Sequence, residues 1–172
     1  MASIIDNTYF VGKIWLPIDE IGGELTGNIV RLEPEILTKV LGYSLKKAFV
    51  DALAETPASK WLDLKNGKDY QIDGIYYNWM GFANAQKQSI IANYVFNDYL
   101  SHGSKFNSSF GVRQLQGENS VPIDNLGKQA IVYNEMVSWI NSLNNFIIRM
   151  NEIDSTTYPN FEPTEFKKFL FI

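Results

Sequence analysis

The sequence predicts an all-α protein, a helical bundle of three to four main helices with a small β-hairpin or loop insertion and extended N- and C-terminal arms. Hydrophobic residues recur at steps of three and four, which is the period of an amphipathic helix. Both ends lack this period and are rich in glycine, threonine or proline, which predicts the arms. The chain has 172 residues, 45% of them hydrophobic, enough for one domain with a core.

Residues 1–32 are predicted to form the N-terminal arm. Ile14-Trp15-Leu16-Pro17 and Ile21-Gly22-Gly23 look like extended pieces that glycine and proline interrupt. The arm is too apolar for a solvated tail, because it contains Ile4, Ile5, Tyr9, Phe10 and Trp15. We expect it either to cover its own core as a strap or to lie on a neighbouring subunit.

Residues 33–152 are predicted to form the helical domain. The first helix should begin near Glu33, because Pro34 suits the first turn and acidic residues suit the positive end of the helix dipole. Gly42 should permit a close helix contact or mark a kink, at a cost of about 1 kcal/mol relative to alanine. A second helix is predicted over residues 83–101, with Gln86, Lys87, Asn93 and Asn97 facing outward.

The longest helix is predicted over residues 125–152, after Pro122. Its apolar stripe consists of Tyr133, Met136, Ile140, Leu143, Ile147 and Met150. Further apolar residues, Trp139 among them, make the helix apolar on most of its circumference. Such a helix has to be packed between neighbours from its own chain or from another copy.

Asn66-Gly67 predicts a tight turn, and therefore a small hairpin between Leu62/Leu64 and Tyr70/Ile72. Aromatic residues crowd this region, which indicates a small core capping the bundle or an interface. A second short strand or hairpin is possible around Phe110, Val112 and Leu115, which alternate in part.

Residues 153–172 are predicted to form a C-terminal docking tail, because Pro159 and Pro163 break any helix and an apolar chain end is normally tied down. The tail should dock on another protein or on its own core. Its candidate docking residues are Phe161, Phe166, Phe169, Leu170, Phe171 and Ile172.

The sequence contains no constellation that predicts catalysis or a cofactor. Cysteine is absent, and the one histidine, His102, has no nucleophile or carboxylate beside it in the sequence. Residues 63–74 fail as a calcium loop, because Lys65 occupies a ligand position and no glutamate closes the loop. We therefore predict no enzyme activity, metal or cofactor.

Charge and hydropathy also limit the partners. The formal net charge of −4 provides no basic footprint for gripping nucleic acid, although DNA could pass a weakly acidic surface without sticking. No apolar run approaches the length of a membrane span, and the first ten residues do not resemble a signal peptide. These features favour a structural or interaction protein that contacts no membrane.

Several short blocks resemble head–tail connector (adaptor) proteins of tailed bacteriophages, of the type found in phages of Bacteroides-type hosts, including crAss-like phages. The blocks are Leu37-Thr38-Lys39-Val40-Leu41-Gly42-Tyr43-Ser44-Leu45-Lys46-Lys47-Ala48-Phe49, then Trp61, Leu64, Asn66-Gly67, Tyr70, Gly74 and Trp79-Met80-Gly81-Phe82, then Ile91-Ala92-Asn93-Tyr94-Val95-Phe96-Asn97-Asp98-Tyr99-Leu100, and finally Gly111-Val112, Glu118-Asn119-Ser120 and Tyr133-Asn134. The likeness lies in the order and spacing of these blocks, and it covers roughly residues 33–150.

The resemblance implies a structural virion protein, made in the host cytoplasm and located at the portal vertex or neck. Such proteins form a homo-oligomeric ring, usually of about twelve copies, below the portal protein. They join the portal to a distal neck or tail ring protein, and they continue the channel through which double-stranded DNA passes without specific binding during genome ejection. They have no catalytic residues to carry over.

A ring subunit shows different faces to its two neighbours, so aromatic residues that one small domain cannot bury should lie at subunit contacts. The candidate interface residues are Tyr9, Phe10, Trp15, Trp61, Tyr70, Trp79 and Trp139. Two alternatives stay open. The chain could be a helical adaptor or interaction module that forms no ring, or a small enzyme whose site is assembled from scattered tyrosine, aspartate and lysine residues.

Overall fold

A computed structural model of the chain describes residues 3–16, 18–103, 105–108, 111–114 and 125–169. Two short 3-10 turns, Asn7–Tyr9 and Gly12–Ile14, precede the main elements. These are α1 (Ile18–Leu53), α2 (Ser59–Asn66), β1 (Lys68–Ile72), β2 (Ile75–Trp79), α3 (Ile90–Asp98), β3 (Lys105–Ser108), β4 (Gly111–Gln114) and α4 (Asn125–Ile153). The predicted class, a helical bundle with a small β insertion, is confirmed.

The short helix α3 lies at the centre of the bundle. It packs against α1 on one side and α4 on the other, and these are the most extensive helix–helix contacts in the described part of the chain. Ser89 caps its first turn by accepting a hydrogen bond from the Ile91 N–H, and the Ser89 hydroxyl donates to the Phe82 carbonyl at 2.6 Å. Most α3 side chains are buried, so the two long helices are joined through α3.

The predicted start of the first helix near Glu33 was wrong, because α1 begins at Ile18 and crosses the proposed boundary between arm and domain. Four residues spaced by four, three and four positions form its buried stripe, and each is at most 2% exposed: Leu25, Ile29, Leu32 and Ile36. Burying such a side chain contributes about 1.5–3 kcal/mol, whereas each helical glycine costs about 1 kcal/mol. Packing therefore outweighs the glycines of this region, and the extended arm is confined to residues 3–16.

Gly42 marks a kink, one of the two predicted alternatives. Its φ of 73° and ψ of 162° lie outside the helical region, so α1 consists of two helical parts that meet at this residue. Glycine populates such a positive φ without the steric cost that other residues incur. Pro34 lies inside the first part rather than in its first turn.

The second helix begins at Ile90, not at residue 83, and residues 99–103 continue it as a π-helical turn. Two of the residues predicted to face outward, Asn93 and Asn97, are instead 1% and 8% exposed. The Asn93 amide donates to the Val132 carbonyl of α4 at 3.3 Å, and the Asn97 amide donates to the Asn93 carbonyl at 2.8 Å. Hydrogen bonds thus allow Asn93 and Asn97 to be buried, although the sequence pattern assigns both side chains to solvent.

The predicted hairpin exists, but its turn was placed wrongly. Strands β1 and β2 pair in antiparallel register from Lys68–Trp79 to Ile72–Ile75, around an Asp73-Gly74 turn. Both turn residues have positive φ, as a type I′ hairpin turn requires. Asn66-Gly67 instead ends α2. The second hairpin, β3–β4, contains Val112, whereas Phe110 and Leu115 lie outside the described residues.

Aromatic side chains from seven separate parts of the chain form one cluster at the end of the bundle. Within it, Trp79 packs between two neighbours, with its ring centroid 6.1 Å from that of Phe146 on α4 and 5.6 Å from that of Phe82. The aromatic cluster consists of Phe49, Trp61, Tyr70, Trp79, Phe82, Phe146 and Tyr158. The aromatic-rich segment therefore forms a small capping core, as one alternative predicted.

Helix α4, the longest uninterrupted helix among the described residues, matches its predicted position and is buried largely by its own chain. Met136, Ile140, Leu143 and Ile147 of the predicted stripe are 0% exposed, and Tyr133 and Met150 are half-buried. The neighbours of α4 are α3, strand β2 and the C-terminal residues 158–169. The helix is thus packed largely within its own chain, as the first alternative predicted, although Ile131, Ile148 and Ile153 are exposed.

Candidate interaction surfaces

The buried polar groups of the described residues serve the fold. Glu33 is the one charged residue among them, at 8% exposure, and its carboxylate accepts the Ile4 N–H at 3.1 and 2.9 Å. This contact ties the N-terminal strap, residues 3–16, onto α1. The strap therefore lies on its own core, as one of the two alternatives for the N-terminal arm predicted.

We expect Glu33→Gln to become more favourable relative to the wild type as the pH rises from acid to neutral. Burial raises the pKa of Glu33, although hydrogen bonds from the Ile4 and Ile5 N–H groups partly oppose this. A raised folded-state pKa gives stability that is fully present below the ordinary pKa and is lost as the pH rises through the folded value. Glutamine can still accept the Ile4 N–H but has no charge to bury.

The measurement is the difference in unfolding free energy between variant and wild type, from urea denaturation at several pH values. Glu55→Gln, at an exposed glutamate, controls for the loss of one negative charge. A difference that stays constant with pH for Glu33→Gln would contradict the expectation.

A cleft of about 230 Å³ lies between the strap, the loop before α3 and helix α4. Its two lysines already have partners. The Lys13 ammonium is 3.1 Å from the Glu135 carboxylate, and the Lys87 ammonium is 2.7 Å from the Thr8 hydroxyl and 4.6 Å from the centroid of the Tyr9 ring. The cleft therefore offers no free cation for an anionic ligand.

No group of three or more histidine, cysteine, aspartate or glutamate side chains in the described residues is placed to hold a metal ion. Several side chains that could carry acid–base chemistry are instead engaged in local contacts. The clearest case is the exposed triangle of Glu35, Lys39 and Tyr94, whose polar atoms lie 2.6–2.7 Å apart. Lys39 holds the pKa of Glu35 below its ordinary value, with a second hydrogen bond from Tyr94. This arrangement stabilises the contact between α1 and α3.

Four of the seven predicted interface residues are part of the protein's own core. Tyr9, Phe10, Tyr70 and Trp79 are 7%, 0%, 8% and 0% exposed. They offer little or no side-chain surface to a neighbouring subunit in this structure, so their burial does not support the interface assignment. Tyr9 and Phe10 belong to the strap, and Tyr70 and Trp79 belong to the aromatic cluster; sequence alone did not reveal that both elements pack into the protein's own core.

The other three predicted interface residues retain accessible surface. Trp15, at the end of the strap, is 61% exposed, whereas Trp61 and Trp139 are half-buried. The structure adds the tip of the β1–β2 hairpin, where Ile75 is 58% and Tyr76 is 79% exposed. The Asp73-Gly74 turn signal could have located this tip, had it been preferred to Asn66-Gly67.

The candidate docking tail lies on its own chain as far as Phe169. Phe161 and Phe166 are half-buried, and the ring of Phe169 packs on Tyr133 with centroids 4.8 Å apart. The remaining candidates, Leu170, Phe171 and Ile172, lie outside the described residues. The structure thus favours docking on the protein's own core for residues 161–169.

None of the helices in the described residues has the length and apolar character that crossing a bilayer requires.

No protein-family model matches the chain, and comparisons with curated proteins and with solved structures gave no match either. The resemblance to phage connectors therefore stays a prediction.

Proposed function

We propose that the protein is a structural head–tail connector (adaptor) of a tailed-bacteriophage virion. It forms a homo-oligomeric ring below the portal protein, joins the portal to a distal neck or tail ring, and continues the DNA channel. The order of the sequence blocks supports this function, and so does a helical bundle that carries a hairpin and terminal arms.

The observation that carries the proposal is the exposure of large apolar side chains on two separate elements of the surface. One is the hairpin tip with Ile75 and Tyr76, and the other is the strap with Trp15 and Val11, which is 46% exposed. A closed ring needs two different surfaces on every subunit, one for each neighbour. Aromatic residues are enriched at such contacts because they bury a large area at low entropic cost.

The decisive experiment mixes the purified protein with the portal protein encoded in the same genome and examines the mixture by electron microscopy and native mass spectrometry. We expect a ring of many copies coaxial with the portal. A protein that remains unbound in this mixture would contradict the proposal.

A helical adaptor that forms no ring is the second candidate, and the burial of α4 by its own chain favours it. A chain that buries most of the apolar surface of α4 by itself leaves less apolar surface for neighbouring subunits to cover. A complex with one copy per partner, instead of a ring, would support this candidate.

The hairpin tip allows a sharper test. We expect Ile75→Ser combined with Tyr76→Ser to abolish ring formation with the portal while changing the free energy of unfolding by no more than about 0.5 kcal/mol, because both side chains are exposed. Gln71→Ser, at an exposed position of the paired strand, is the matched control. Normal ring formation by the double variant would show that the hairpin tip is not part of the subunit interface.

A further inference from the structure

The tail, residues 161–169, lies against helices α1 and α4. We define the tail groove by Lys39 of α1 and by Tyr133, Asn134 and Asn144 of α4. The tail crosses these residues in the direction opposite to α4, because Thr164 meets Asn144 and Phe169 meets Asn134. It is an extended peptide lying along a helix.

The groove recognises the backbone of this peptide. The Asn134 side chain donates to the Phe169 carbonyl at 3.0 Å and accepts the Phe169 N–H at 2.7 Å. The Asn144 amide donates to the Thr164 carbonyl at 3.1 Å, and the Thr164 hydroxyl donates to the Lys39 carbonyl at 2.8 Å. Two helices therefore hold the tail through side-chain hydrogen bonds and the rings of its phenylalanines.

The tail is only loosely integrated into its own domain. Among the described residues, no hydrogen bond between backbone groups ties residues 161–169 to the rest of the chain. Removing the tail would therefore break no helix or strand ladder. The same hydrogen bonds and ring contacts can form with an identical segment from another copy of the protein.

A firm anchor and a bend precede the tail. Tyr158 is 1% exposed, its hydroxyl donates to the Lys60 carbonyl at 2.6 Å, and both of its backbone polar groups bond to the Asn151 side chain at 2.9 Å. Pro159 and Asn160 follow, and Asn160 has a φ of 59°, in the left-handed region that asparagine adopts more readily than most residues, so the chain turns sharply here. A short, bent connection between an anchored core and a separable segment is the setting in which segments exchange between copies.

We propose that the tail exchanges between copies of this protein, so that the tail of one copy occupies the tail groove of another. The contacts are the same within a chain and between chains, so only the effective concentration of the chain's own tail favours the closed form. In a ring, exchange would link each subunit to the next. That placement rests on the proposed function, whereas the exchange itself can be tested on the protein alone.

Cysteine is absent from the chain, which permits a clean cross-linking test. One variant carries Lys168→Cys, beside Phe169 in the tail, and the other carries Ser138→Cys, one helical turn from Asn134; both positions are exposed. The two single variants are mixed at high concentration and treated with a short bis-maleimide. Exchange should give covalent heterodimers whose yield rises with concentration and exceeds by about tenfold that of a mixture of Lys168→Cys with Lys47→Cys.

A second measurement distinguishes exchange from collision. Asn134→Ala, introduced into the Ser138→Cys variant, removes two contacts with the tail and should lower the heterodimer yield to that of the control mixture. Asn141→Ala, at an exposed position of the same helix, should leave the yield unchanged. A heterodimer yield equal to the control, or one that Asn134→Ala does not lower, overturns the proposal. Neither result bears on ring formation with the portal, which the microscopy tests separately.

Discussion

Trp79→Ala is expected to lower the free energy of unfolding by about 4 kcal/mol or more, a large part of the 5–15 kcal/mol that holds a typical domain together. The side chain is fully buried and packs between Phe82 and Phe146, so truncation leaves a cavity at the centre of the aromatic cluster. Its indole N–H also donates to the Leu64 carbonyl at 3.0 Å. That carbonyl belongs to the last turn of α2, where the helix itself supplies no donor.

Urea denaturation followed by far-ultraviolet circular dichroism measures this effect. Trp79→Phe keeps most of the packing and removes the indole donor, so it should cost about 1–3 kcal/mol. Tyr76→Ala, three residues away at the exposed hairpin tip, should change stability little. Equal losses for Trp79→Ala and Tyr76→Ala would show that the cluster does not hold the fold.

Gly81→Ala is expected to destabilise the protein by about 3 kcal/mol or more. Gly81 has a φ of 86°, which is unfavourable for alanine, and an added Cβ would lie 2.4 Å from the Asn66 carbonyl carbon and the Gly67 nitrogen. Both atoms belong to the backbone, so neither can turn aside as a flexible side chain could. The chain would have to separate where residues 79–81 pass the end of α2.

Gly74→Ala is the matched control. Gly74 has a similar φ of 80°, but an added Cβ would meet nothing within 4 Å. Its cost should be limited to backbone strain, about 1 kcal/mol. The difference between the two melting curves then measures the close backbone approach alone, and a similar loss for both variants would contradict the expected clash.

Hydrophobic periodicity predicted the helical class and the position of α4. A stripe such as Met136, Ile140, Leu143 and Ile147 lies on one face only if the chain is helical. The prediction from periodicity failed where glycine and proline, which usually interrupt helices, occur within a helical stripe of hydrophobic residues. Gly22 and Gly23 indicated an extended arm and Pro34 a helix start, yet the buried residues from Leu25 to Ile36 keep this whole region helical. Local propensity is a weak prior that tertiary packing overrides.

Which surfaces face solvent could not be predicted from the sequence. A high aromatic content indicates how much apolar area must be covered, but not which element covers it. Phe10 and Trp79 were assigned to a subunit contact and are fully buried, whereas Tyr76 was not assigned and is the most exposed large hydrophobic residue described. Asn93 and Asn97 were assigned to solvent. The Asn93 amide, however, bonds to the Val132 carbonyl of α4, which only the folded chain brings close, and the Asn97 amide bonds to the Asn93 carbonyl one turn earlier in α3.

The central position of α3 has a consequence for the order in which the molecule opens. A helix of nine residues is too short to persist alone in water, so α3 exists only while α1 and α4 enclose it. Its amide hydrogens should therefore exchange with solvent only when the whole domain unfolds, whereas the strap and the tail open far more often. Among the described residues, we therefore expect the slowest exchange in one of the shortest helices.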